Sequence, residues 1–223
     1  MGDSLLQSQI EFTLAESREN LKMKTKVSPV VRGLLSSIVI AVCFLSNSLV
    51  AKAENPRVVL ETSMGEIEIE LFEKDAPITV ENFVKYVKKG HYDGTIFHRI
   101  IPDFVVQGGG LEENMKERET EAPIVNEASN GLKNDKMTLS MARTRDPDSA
   151  TSQFYINLKY NRGLDQQYCA DGYGYCVFGK VVKGEDIVEK MAKVKTITLG
   201  RNEDVPAQPI KLIKARILNG EKN

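Results

Sequence analysis

Phe97-His-Arg-Ile-Ile-Pro-Asp-Phe-Val-Val-Gln-Gly-Gly-Gly110 sets one arginine, Arg99, and one glutamine, Gln107, in an otherwise largely apolar, aromatic-flanked run. Side chains alternate across a strand. Before Pro102, Phe97, Arg99 and Ile101 are therefore expected on one face; after it, Phe104 and Val106 share a face and Val105 and Gln107 the other. The stretch predicts two short strands around a proline bend. A guanidinium beside apolar side chains on such strands reads as a binding groove with one cation in it, although a surface arginine at a strand end fits the same pattern. Gly108-Gly109-Gly110 lacks the following lysine and helix start that a phosphate cradle needs, and reads as a tight turn.

Working outward, residues 57–62 and 65–72 predict a hairpin turning at Ser63-Met64-Gly65. In its second arm Ile67, Ile69 and Leu71 alternate with Glu66, Glu68 and Glu70, the period of a half-buried strand with a solvated acidic face. From Pro77 the period changes: Val80, Phe83, Val84 and Val87 follow helical spacing, with Pro in the first turn, Lys85, Lys88 and Lys89 near the end and Gly90 as the stop. Downstream, 111–130 reads as an irregular acidic loop and 143–151 as a polar turn region. Strands are predicted at 137–142, 152–157, 175–181 and 210–218, with a second short helix over 185–194. Many short strands with only two helices predict a mainly β fold, a closed antiparallel barrel with helical caps.

The chain has 223 residues, 41% hydrophobic and 27% charged, enough for one domain with a substantial core. Its net charge of −1 gives no electrostatic case for nucleic acid. Residues 23–53 stand apart: Met23-Lys-Thr-Lys and Arg32 form a basic start, Leu34 to Leu45 an apolar run, and Ala51-Lys-Ala53 a small-x-small cleavage site. This predicts a signal peptide cleaved after Ala53, a periplasmic mature chain over 54–223, and no stable membrane span after processing; the run is short for a span, an uncleaved anchor being the alternative. Cys43 lacks the small preceding residue of a lipidation site, having Val42 there, and residues 1–22 are a polar N-terminal extension. The mature chain keeps Cys169 and Cys176, which in an oxidising compartment read as a small-loop disulfide. Metal binding is the rival reading, but neither His91 nor His98 has ligand spacing to the cysteines.

The mature chain has no Gly-x-Ser-x-Gly, no P-loop and no His-Glu-x-x-His. His98, next to Arg99, is expected to point inward as a satisfied structural histidine. An apolar groove with donors and no nucleophile suits a reaction without covalent chemistry. Rotation about a prolyl peptide bond, whose barrier is about 18–20 kcal/mol, is one such reaction.

The run from Phe97 to Gly109, with Ser140-Met-Ala-Arg-Thr-Arg-Asp-Pro-Asp-Ser-Ala-Thr-Ser-Gln-Phe-Tyr-Ile-Asn157 and Val177-Phe-Gly-Lys-Val-Val182, resembles the cyclophilins. Met-Ala-Arg-Thr and the leader look like the exported bacterial branch. The resemblance spans about Val58 to Leu218. It implies an eight-stranded antiparallel barrel capped by two helices, peptidyl-prolyl cis-trans isomerase activity (EC 5.2.1.8), no cofactor and no metal. The implied partners are proline-containing unfolded or partly folded polypeptides, met by a monomer assisting folding in the periplasm. It makes Arg99 the catalytic donor near the prolyl amide, accompanied by Phe104 and Gln107. Val105, Tyr155 and Leu164 would line the proline pocket with Phe104, Gln153 would be a polar groove residue, and Ala142 with Arg143 the backbone that pairs with extended substrate. Tyr175 stands at a binding position where many members have histidine, Val105 where many have methionine, and Gly163 where eukaryotic members carry a tryptophan important for cyclosporin. A proline-peptide-binding chaperone module without turnover is the alternative function.

Overall fold

The computed structural model describes residues 55–218. The extension and signal peptide predicted over 1–53 lie outside them. Ten strands and two helices run in the order β1 (Arg57–Thr62), β2 (Gly65–Leu71), α1 (Pro77–Lys88), β3 (Thr95–Ile101), β4 (Val105–Glu112), β5 (Thr138–Met141), β6 (Phe154–Asn157), β7 (Val177–Lys183), α2 (Glu185–Met191), β8 (Thr196–Leu199), β9 (Asn202–Pro206) and β10 (Ile210–Leu218). Eight strands close into an antiparallel barrel in the order β1-β10-β3-β4-β6-β5-β7-β2. The hairpin β8-β9 stands beside it; its 196–206 segment carries no alternating pattern that sequence reading detected, and Thr196, Ile197 and Leu199 are all at least partly exposed.

The barrel strands and α1 bury one large apolar core. Ile67, Ile69 and Leu71 of β2 are fully buried, as their alternation requires. Glu68 departs from the expected solvated face: it too is buried, held by Lys183 at 2.7 Å and Arg57 at 2.8 Å, which keep its carboxyl below the usual range. In α1, Val80, Phe83 and Val87 enter the core as the helical spacing predicts, while Val84 is only partly covered. Pro77 takes a first-turn position where its missing N–H costs nothing. The free N–H groups of Ile78 and Thr79 donate to the Glu127 carboxylate at 3.1 and 2.7 Å, an end cap delivered by a distant loop. Phe83 meets Phe154 edge to face with centroids 5.5 Å apart, and Tyr92 meets Phe154 likewise at 5.6 Å.

Two features of the opening stretch differ from expectation. The triple glycine is strand, not turn, lying inside β4. A Cβ on Gly108 would lie 2.8 Å from the Phe97 ring, and one on Gly109 2.8 Å from Phe154. The glycines are there because large side chains lie against the backbone. In β3, Phe97 pairs with Gly108 and Arg99 with Gln107, so His98 is an extra residue in the ladder. This bulge shifts the side-chain phase. Phe97 and Ile100 are both fully buried, and Arg99 is partly exposed; Phe97 and Arg99 do not share a face.

Candidate active site

Register builds the first part of the site. Arg99 on β3 pairs with Gln107 on β4, Gln107 with Tyr155 on β6, and Tyr155 with Ser140 on β5. Four strands thus carry one row of polar side chains across the barrel wall. Arg99 Nη1 donates to Gln107 Oε1 at 3.3 Å, and Gln107 Nε2 donates to Gln153 Oε1 at 3.0 Å. Gly110 makes room for the last link, since a Cβ there would lie 2.3 Å from Gln153 Cγ. Of the five N–H donors of the Arg99 guanidinium, one bond uses one, leaving the rest of the fork for another acceptor.

This row borders a pocket of about 140 Å³. Phe104, Val105 and Tyr155 line it from the barrel side together with Arg99 and Gln107; Ala142, Arg143, Leu164 and Tyr175 close it from the loops. Every residue that the sequence reading assigned to catalysis or binding therefore meets at one place, Gln153 joining through Gln107. A donor fork at the rim of a small, partly apolar cleft can bind a short ring-like side chain and hydrogen-bond the amide beside it.

Behind the pocket runs a buried polar network that no motif announced. Asn134 Oδ1 accepts from Ser140 Oγ at 2.8 Å, Tyr155 Oη at 3.0 Å and Asn157 Nδ2 at 3.3 Å. Its Nδ2 donates to Asp165 at 3.0 Å. Asn161 Nδ2 donates to the Phe104 carbonyl at 2.9 Å and to Asn157 Oδ1 at 2.7 Å. These bonds fix Phe104 and the short helical turn Arg162–Leu164 that carries Leu164. Burial raises the Tyr155 phenol well above its ordinary pKa, so it stays neutral.

The Arg143 side chain is turned into the chain's own loop. It is 3% exposed, Nε donates to the Gly174 carbonyl at 3.0 Å, and Nη2 meets the Asp171 carboxylate. The neighbouring Ala142 donates its backbone N–H to the Gln153 carbonyl at 3.0 Å. His98 does point inward, but its Nδ1 has no hydrogen-bond partner, and burial, with Arg99 adding to it, depresses its pKa to about 4.

The expected Cys169–Cys176 bond is absent; both are free thiols. Cys176 is buried with Sγ 3.4 Å from Thr79 Oγ1, and burial pushes its pKa to about 12. Cys169 instead lies beside Asp171. Among the described residues no cluster of His, Cys, Asp and Glu could hold a metal, and no helix is long and apolar enough to cross a membrane.

Residues 57–217 match the family model of cyclophilin type peptidyl-prolyl cis-trans isomerases. The chain is 55% identical over 163 residues to a peptidyl-prolyl cis-trans isomerase of Acinetobacter baylyi, covering 73% of this chain and 86% of that one. It is 48% identical over 154 residues to peptidyl-prolyl cis-trans isomerase B of Escherichia coli, covering 69% and 94%. The crystal structure of a Cryptosporidium parvum cyclophilin type isomerase, determined in the presence of the dipeptide Ala-Pro, is similar with a TM-score of 0.63 and 25% identity, covering 73% of this chain and 99% of that one.

Proposed function

This chain belongs to the cyclophilin-type family and is a peptidyl-prolyl cis-trans isomerase, and from that premise we propose that Arg99 accelerates the rotation by donating a hydrogen bond to the prolyl nitrogen. In the planar amide the nitrogen lone pair is delocalised into the carbonyl. Rotation breaks that conjugation and localises the pair on nitrogen, where a donor stabilises it. A guanidinium is protonated at every physiological pH, so the donor needs no proton-transfer partner. Phe104, Val105, Tyr155 and Leu164 hold the proline ring and exclude water. Gln107 orients Arg99 and, with Gln153, holds the peptide backbone alongside Ala142.

The observation that carries this reading is the Arg99–Gln107–Gln153 chain at the rim of the proline-sized pocket. The test is isomerisation of a proline peptide by residues 54–223, followed by NMR exchange. Uncatalysed exchange takes tens to hundreds of seconds, so catalysis is easily seen. Loss of the rate in Arg99→Ala with peptide affinity largely kept supports the mechanism; an unchanged rate overturns it.

We further propose that the enzyme works as a monomer on exported polypeptides, a reading supported by the leader-like pattern at 23–53. Periplasmic fractionation of the full chain, with mass measurement of its N-terminus, tests it. The site also implies weak cyclosporin sensitivity, because Gly163 offers no side chain beside Leu164. No atom lies within 4 Å of a Cβ built there, so a side chain can start from that position, and Gly163→Trp is expected to increase inhibition in the same assay.

A further inference from the structure

Arg143 and Asp171 make an assembly that peptide binding alone does not explain. Arg143 follows β5 and extends under the loop that closes the pocket. Three of its nitrogens are used within the chain: Nε on the Gly174 carbonyl at 3.0 Å, Nη1 on the Thr144 carbonyl at 3.0 Å, and Nη2 on Asp171. Its guanidinium carbon lies 4.2 Å from the centroid of the Tyr175 ring, within cation–π range. Asp171 also accepts from the backbone N–H groups of Tyr173 and Gly174, at 2.9 and 3.3 Å. Arg143, followed by these donors, holds its carboxyl far below the usual range.

The tip of the loop lies on the surface. Tyr168 and Tyr173 are exposed, and Gly172 and Gly174 take positive φ values of 75° and 69°. Tyr175 N–H donates to the Leu164 carbonyl at 2.9 Å, so the two loop-borne pocket residues are tied to one another. Asn134 Nδ2 reaches the Tyr175 carbonyl at 3.4 Å and Asn126 Nδ2 the Gly174 carbonyl at 3.1 Å, while Arg143 is the contact that combines a charge pair to Asp171 with a place against the Tyr175 ring.

We propose that Arg143 and Asp171 are positioning residues that hold Tyr175, and through it Leu164, as the movable wall of the proline pocket, setting peptide affinity rather than the rate of rotation. This rests on the active-site reading given above. A wall that touches the proline ring does so in the ground state and in the transition state alike, so loosening it raises KM and leaves kcat nearly unchanged. Arg99 acts on a bond made only during rotation, so its loss falls on kcat.

The experiment measures kcat and KM for a proline peptide with residues 54–223. Asp171→Asn keeps an oxygen for Tyr173 and Gly174 but removes the charge that holds Arg143; Asp171→Ala removes both. Asp171 is on an exposed loop, so both variants are expected to fold, which thermal unfolding checks. Each is expected to raise KM about three- to tenfold with kcat within twofold. In a Tyr175→Ala background, Asp171→Asn is expected to change KM no further, because the ring through which it acts is gone. Unchanged KM in both Asp171 variants overturns the proposal, as does a full additional effect in the Tyr175→Ala background. Retained activity in Arg99→Ala counts instead against the active-site reading, and the KM results still decide the clamp.

Discussion

Arg99, Gln107 and Tyr155 stand on adjacent barrel strands, whereas Leu164 and Tyr175 stand on loops that reach over the same pocket. On the strand side Gln107 and Tyr155 are paired on two flanks and Arg99 on one, so side-chain direction follows from register. On the loop side nothing periodic fixes direction, and the chain uses dedicated polar contacts: Asn134, Asn161 and Asp165 behind Leu164, Arg143 and Asp171 behind Tyr175. Under the proposed mechanism the donor sits on the strand side and the adjustable fit on the loop side. A site can therefore hold its donor to a narrow geometry while accepting varied polypeptides.

The sharpest way to break this contrast is to remove the donor. Arg99→Ala is expected to lower kcat/KM by about 10²–10³-fold, the usual cost of losing one preorganised transition-state donor. An effect under tenfold would mean that desolvation in the pocket, not the donor, carries the catalysis. Next comes Asn134→Ala, which removes the acceptor of the Ser140 and Tyr155 hydroxyls in the interior and one of the donors to Asp165. It is expected to destabilise the fold by about 2–4 kcal/mol in urea unfolding, since buried partners left unpaired lose hydration as well as a bond.

The third concerns acid. His98 resists protonation in the fold, with a pKa of about 4 against an ordinary 6.5. The unfolded chain therefore binds more protons between those values, and stability is full above pH 6.5 and declines as pH falls towards 4. The loss is on the order of 3 kcal/mol over that window. His98→Phe should flatten the profile of urea midpoints between pH 7 and 4. Activity, by contrast, should stay level from pH 7 to 9, because a guanidinium donor needs no proton transfer to act. The smallest effect expected is from Gly110→Ala. Its methyl displaces Gln153 and breaks the link to Gln107, lowering kcat/KM about three- to tenfold without unfolding the barrel, as φ at Gly110 is ordinary.

The same division explains what sequence reading reached. The barrel strands were legible where one face is buried and the other wet, as in Ile67, Ile69 and Leu71. The pocket residues were legible because they lie within long motifs that resemble a known family. The bulge at His98 was not, because an inserted residue leaves no mark on a pattern of alternation until the partner strand is known. The triple glycine misled for a related reason: freedom of φ and lack of volume look identical in a sequence, and here volume matters at all three while Gly109 also needs its positive φ of 88°. Asn134, Asn161 and Asp171 were missed because single polar residues in irregular segments are ordinarily solvated. The hairpin β8-β9 buries only Val205 and Pro206 at one end, too little to leave an alternating pattern.

Barrel closure has a consequence in time. β1 pairs with β2 on one side and with β10 on the other, Arg57 facing Leu218. The first strand of the barrel thus completes its pairing only with the last. Closing a loop of that length costs about 4 kcal/mol in chain entropy, and it is repaid only when β10 docks on both β1 and β3. A ribosome-bound chain still lacking residues 210–218 is an open sheet with two unpaired edges. Such a chain cannot lock into its final form before residues 210–218 are added, and so remains threadable until then.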